Sequence, residues 1–146
     1  TLQNLGASDE AYCLLYHVNV GYPMLDENAI LVDDAAEVIP RTPGAAEHLD
    51  TRAKFTQAVA GQEEMCYFLK CKTPRVTVQN QKLGKSFTLE WSGDTLPQFV
   101  EWKSMSAGDY ALGLEPSTTM LDESFVYRNI AAAECIQFSL KLAVRK

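Results

Sequence analysis

The chain has 146 residues, of which 47% are hydrophobic and 22% charged, a globular composition that excludes a disordered chain and allows one domain or half of a larger one. Thirteen basic against nineteen acidic residues leave a formal net charge of −6, which argues against a nucleic-acid partner, since such binding needs clustered Lys and Arg. The longest unbroken apolar run, Ala11 to Tyr16, falls far short of the ~20 residues of a membrane helix, so no membrane partner is expected.

Thr1-Leu2-Gln3-Asn4 is polar and carries no basic cluster, so a secretory signal is not expected and the reading is cytoplasmic. Thr1 in place of an initiator Met suggests a processed product, a fragment or part of a longer polypeptide. Strand character first appears over Tyr12–Val20, then over Ala29–Val32 and Glu37–Arg41. Ala45–Phe55 alone has helical character, and it is short. Strands resume at Glu64–Lys72. Val76 and Val78 then alternate with Thr77 and Gln79, and Asn80-Gln81-Lys82-Leu83-Gly84 supplies turn chemistry. Phe87, Leu89 and Trp91 alternate with Thr88 and Glu90, and Gln98–Met105 and Tyr110–Leu114 follow. Ile136, Phe138, Leu140, Leu142 and Val144 close the chain with one buried face. Many short strands with Gly and Pro between them predict an all-β fold, an antiparallel β-sandwich spanning 1–146 as a single segment.

Cys13, Cys66, Cys71 and Cys135 sit in apolar runs, and the Cys66-x4-Cys71 spacing is not that of a zinc site. Reduced, buried, unliganded thiols are expected. No phosphate loop, H-E-x-x-H, G-x-S-x-G or dinucleotide fingerprint is present, so neither metal nor cofactor is expected.

Three segments carry side chains with chemical potential. In Leu15–Pro23, a strand turns Tyr16, Val18 and Val20 one way and His17, Asn19 and Gly21 the other. His17 is then either a satisfied structural residue or, with Asn19, part of a polar site. In Asp109–Ser117, Tyr110, Leu112 and Leu114 suit a core, while Ala111 and Gly113 lead to Glu115 on a face of small residues. Such a face is either merely solvated or a concavity for a polar ligand. In Phe99–Met105, Trp102 is core or an aromatic wall for a sugar ring, and Lys103 is a surface lysine or a donor to ligand hydroxyls.

The runs Y-H-V-N-V-G-Y-P (16–23), L-P-Q-F-V-E-W-K (96–103) and L-G-L-E-P (112–116) resemble the galactose mutarotase-like superfamily. Within it they are similar to a bacterial family related to the aldose 1-epimerases and long known only as a domain of unknown function. The resemblance covers nearly the whole chain but only the C-terminal half of that fold. It implies a β-supersandwich whose concave sheet binds a monosaccharide or sugar derivative. It also implies that a missing N-terminal half, or a second chain, completes the site. By match, His17 and Glu115 take the places of the family's catalytic His and Glu, although Val18-Asn19 follows His17 where the family has Pro-Tyr. The implied activity is anomer interconversion, with Glu115 as general base and His17 as general acid and no cofactor required. Sugar contacts are expected from Asn19, Asp26, Glu63 and Lys103, with stacking on Trp102. A non-catalytic sugar-binding or sensing module is the alternative.

Overall fold

The computed structural model describes residues 1–146 as a mostly β molecule. Its strands are β1 (Leu2–Gln3), β2 (Glu10–Tyr12), β3 (Val18–Val20), β4 (Ala29–Val32), β5 (Ala35–Pro40), β6 (Met65–Cys71), β7 (Arg75–Asn80), β8 (Lys85–Trp91), β9 (Gln98–Ser106), β10 (Asp109–Ser117), β11 (Arg128–Ile130), β12 (Cys135–Ile136) and β13 (Leu140–Arg145). One sheet of five strands has the order β3-β10-β9-β6-β5, and a second of four has the order β13-β8-β7-β4. β1 pairs with β12 and β2 with β11 as small ribbons, and every one of these strand pairs is antiparallel. The antiparallel sandwich expected from the alternation is therefore the architecture. No helix is long and apolar enough to cross a membrane.

The predicted elements differ in detail where loops interrupt them. The helical stretch shrinks to α1 (Pro43–Glu47) and a single 3-10 turn, Leu49–Thr51. α1 starts at Pro43 because Thr42 caps it, its hydroxyl accepting from Ala45 N at 3.1 Å. The Tyr12–Val20 run divides into β2 and β3, and the C-terminal run breaks between β12 and β13. Cys66 is buried and Cys71 half-buried, as an apolar setting implies, whereas Cys13 and Cys135 are exposed. The β7–β8 hairpin closes on Gly84 at φ +63°, where a side chain is disfavoured, and Asn80 Oδ1 accepts from Leu83 N at 2.8 Å.

The two sheets enclose one main core, with Leu89, Val76 and Val78 from one side meeting Leu69, Phe99, Leu112 and Leu114 from the other. Trp91 stacks on Phe99 at 4.7 Å and donates Nε1–H to Leu96 O at 3.1 Å, so its buried indole nitrogen is satisfied. That core also holds charge. Arg52 bridges Asp33, at 2.7 Å, and the fully buried Glu101. Lys103 Nζ donates to the carbonyls of Arg52 at 2.6 Å and Lys54 at 3.1 Å. Burial pushes the Glu101 carboxyl up against the pull of Arg52, and pushes the Lys103 ammonium down against the pull of Glu101.

One flank of the sandwich is closed and the other open. Asp33 and Asp34 alone separate β4 from β5, so these two edges lie together, and Leu31 N donates to Ala53 O along the outside of β4. The opposite edge strands of the two sheets are β3 and β13. Leu142 and Val144 are opposite Leu89 and Phe87 in register and so face inward, yet they are 52% and 65% exposed.

Two stability outcomes follow from these placements. Arg52→Leu removes the cation in contact with Glu101 and leaves only Lys103 nearby, which costs about 3–5 kcal/mol and is read as a lowered urea midpoint at unchanged slope. Leu142→Lys with Val144→Lys leaves the unfolding free energy within about 0.5 kcal/mol per site, because nothing covers these positions. The same pair reduces binding of an anilinonaphthalene sulfonate dye; a large stability loss would instead mark both residues as core.

Candidate active site on the outer face of the five-stranded sheet

β10 lies between β3 and β9, and its alternation sends Leu112 and Leu114 into the core while Gly113 and Glu115 face outward. In register, Gly113 has Asn19 on one side and Trp102 on the other, and Glu115 has Val100 beside it. His17 precedes β3 by one residue. It is carried there by the 14–16 segment, which runs along the end of β10 through Tyr16 N to Pro116 O at 3.0 Å and Leu14 N to Thr118 Oγ1 at 2.9 Å. Sharing Asn19's parity, His17 faces Glu115, with Nε2 3.0 Å from Glu115 Oε1.

The two partners differ in environment. The Glu115 carboxylate is almost wholly buried, while the imidazole side chain is 44% exposed. Oε1 receives no hydrogen bond, so the imidazole meets it as a close ionic contact at 3.0 Å rather than as an aligned donor. Burial pushes the Glu115 carboxyl above the usual range; His17 and Arg41 pull it back, and Glu64 pushes it further up.

Around the pair, Trp102 sets its ring edge toward His17, with centroids 5.9 Å apart and planes at 62°. Its indole donates Nε1–H to Glu64 Oε2 at 2.8 Å. Glu64 reaches it because it precedes β6 with the parity of Cys66, which is opposite Trp102 in register. Arg41 N bonds Cys66 O at 2.9 Å, continuing the β5–β6 pairing by one residue and setting the guanidinium near the Cys66 thiol. Burial pushes that thiol up, so Cys66 is a floor residue rather than a nucleophile. Phe68, Val100, Met120 and the flanking Ile39 and Leu121 supply the apolar remainder.

Of the residues singled out in the sequence, this face gathers His17, Glu115, Asn19 and Trp102. Three others lie elsewhere. Lys103 follows Trp102 on the same strand and therefore points to the opposite face, where it is 3% exposed and bound to backbone carbonyls. Asp26 closes the turn before β4, accepting from Asn28 N at 2.8 Å and Asn80 Nδ2 at 2.7 Å. Burial opposes its ionisation, but these hydrogen bonds and Lys82 outweigh it and hold the carboxyl below the usual range. It lines a hollow of about 440 Å³ with Tyr22, Lys82 and Tyr110, which shares no lining residue with the His17–Glu115 pair. Glu63 lies beside α1, its Oε2 3.9 Å from where a Cβ on Gly44 would be. The residue of that acidic pair that meets the site is Glu64. Strand parity, counted back from Cys66, is the signal that separates them. Arg41 closes the predicted strand Glu37–Arg41, but nothing in that run marks it as part of the site.

An anionic base with raised proton affinity, a half-exposed imidazole and an aromatic edge on one open face suit acid–base work on a polar ligand. No three His, Cys, Asp or Glu side chains converge as metal ligands.

Comparison with solved structures places the fold. A Klebsiella pneumoniae subsp. pneumoniae protein, provisionally assigned as an aldose 1-epimerase, superposes with a TM-score of 0.88 at 20% identity, over 97% of this chain and 40% of its own. The Slr1438 protein of Synechocystis sp. PCC 6803 does so with a TM-score of 0.66 at 16% identity, over 97% of this chain and 47% of its own. The chain thus spans less than half the length of either structure. No curated protein matches it. Residues 1–140 match the model of the family described as Domain of unknown function (DUF4432), and to that family the chain belongs.

Proposed function

We propose that this segment carries the acid–base half of a sugar-anomer isomerase of the aldose 1-epimerase type. The observation that carries the reading is the 3.0 Å contact between His17 Nε2 and Glu115 Oε1 on the outer face of the sheet. The likeness in fold to the Klebsiella protein supports it, as does the name that protein bears.

Ionised Glu115 takes the proton from the anomeric hydroxyl while protonated His17 delivers one to the ring oxygen. The C1–O5 bond then breaks and leaves an open-chain aldehyde. Rotation about C1–C2 and the reverse transfers, from Glu115 to the aldehyde oxygen and from the O5 hydroxyl to His17, close the other anomer. Both protons return to their donors, so no cofactor enters the balance. The imidazole beside Glu115 favours its ionised form before substrate arrives. Asn19 contacts sugar hydroxyls and Trp102 bounds the ring. The solved structures are more than twice as long as the matching region, which supports the reading that a further segment completes the site.

The test is polarimetry or NMR exchange on a panel of aldoses, using a polypeptide that also contains the portion corresponding to the rest of the relatives. Glu115→Gln and His17→Asn each slow anomerisation by ~10²–10⁴-fold while sugar still binds. Binding without turnover in the unmutated protein would move the reading to a sugar-binding module. Activity that survives both substitutions would remove His17 and Glu115 from the mechanism.

The pH profile offers a second check. The base must be ionised, so the rate falls as pH decreases through the Glu115 pKa, and this limb lies above the ordinary glutamate range. His17→Asn removes a neighbouring cation that favours the carboxylate, so in whatever activity remains the limb moves to higher pH. A limb at the usual glutamate position would contradict the buried environment assigned to Glu115.

A further inference from the structure

Gly113 occupies the outer face of β10 between Asn19 and Trp102, and its backbone is outside the left-handed region, so alanine is allowed there by conformation. Space is what excludes a side chain. A Cβ on Gly113 would lie 2.6 Å from Glu115 Oε1, 2.9 Å from His17 Cε1 and 3.3 Å from Trp102 Cε3. Carbon atoms rest at about 3.5–4.0 Å, so the first two contacts are well inside repulsion. Three side chains from three separate elements thus converge on one bare Cα.

We infer that Gly113 is the positioning residue of this site: its missing Cβ is what lets the His17 imidazole meet the Glu115 carboxylate. The inference rests on the reading of these two groups as an acid–base pair. The neighbours also determine what a methyl group there would displace. Trp102 is held by Glu64 at 2.8 Å, and Glu115 is buried against the sheet, whereas the imidazole has open solvent on one side. The imidazole is therefore free to move outward, and the Glu115 carboxylate, in the tightest contact and with no hydrogen bond to Oε1, must swing aside as well. Gly113→Ala parts the pair by displacing both ends of the contact, and Glu115 loses its neighbouring cation.

The decisive experiment follows the Glu115 carboxyl by carbon-13 NMR titration in a double-mutant cycle. In the parent protein, His17→Asn moves the Glu115 midpoint upward, because a cation that favours the carboxylate is lost. Gly113→Ala alone moves it upward in the same way, and adding His17→Asn to Gly113→Ala then changes nothing further. A fold defect would not produce that pattern of non-additivity. Gly21→Ala serves as the control, since a Cβ there meets no atom within 4 Å, and it leaves the midpoint in place. In the anomerisation assay Gly113→Ala loses ~10²–10⁴-fold in rate with sugar binding retained. A response to His17→Asn that persists in full after Gly113→Ala overturns the inference, as does unchanged activity. Should Gly113→Ala fail to fold, combining it with His17→Ala and Glu115→Ala restores folding by clearing the clash; failure to restore it also overturns the inference. Absence of anomerisation in the unmutated protein, with the titration pattern intact, removes the isomerase reading and leaves the role of Gly113 standing.

Discussion

The strict two-residue alternation of β9 and β10 is the constraint on which both halves of this molecule depend. On β9, Phe99, Glu101, Lys103 and Met105 enter the space between the sheets, while Val100, Trp102 and Ser104 face the other way. On β10, Leu112 and Leu114 complete the same core, and Gly113 and Glu115 belong to the outer face. A slip of one residue in the pairing of these strands would exchange the two sets. It would bury the His17–Glu115 pair among leucines and expose the Arg52–Glu101 bridge. Packing and chemistry are fixed by one register.

Glu101 and Glu115 show how the same side chain takes different roles on the two sides of this sheet. Both are buried, and burial pushes both carboxyls up. Glu101 is answered by Arg52, itself tied to Asp33, with the neighbouring Lys103 anchored on backbone carbonyls, so its charge holds the 52–54 segment against the sheet. Glu115 faces a single half-exposed imidazole on the outer face. Each carboxylate keeps Oε1 without a hydrogen bond, so what separates them is access: Glu101 lies between the sheets against a fixed guanidinium, whereas Glu115 lies beside a side chain that solvent reaches.

The alternation that made the strands legible in sequence also holds the reason some site residues were not. The inward and outward faces of β6 to β10 follow from counting by two, and the architecture followed from them. Trp102 and Lys103 are adjacent on one strand, so both cannot serve the same ligand, and parity assigns the outer face to Trp102 because it shares a row with Gly113. Glu63 and Glu64 pose the same problem just before β6, where composition weighs them equally and only the register from Cys66 separates them. Asp26 read as a sugar contact but is spent on turn geometry, its oxygens taken by Asn28 and Asn80. Arg41, at the end of a predicted strand, reaches the site only because β5 pairs with β6, a long-range pairing that no local period encodes.

His17 stands at the margin of the structure, immediately before a three-residue edge strand, and that position bears on how the site works. A catalytic group is normally held by packing on both sides of its strand. Here β10 holds one side of β3 and the other side is a free edge, as is that of β13, where Leu142 and Val144 lie uncovered. Each sheet thus ends in an unpaired strand, one following directly on the half-exposed imidazole and the other carrying exposed apolar side chains. A strand added to β13 would remove the rest of Leu142 and Val144 from water, each contributing less than the about 1.5–3 kcal/mol of a side chain buried from full exposure, since both are already partly covered. A strand added to β3 would wall the far side of His17 and lower the dielectric around its contact with Glu115, strengthening their interaction.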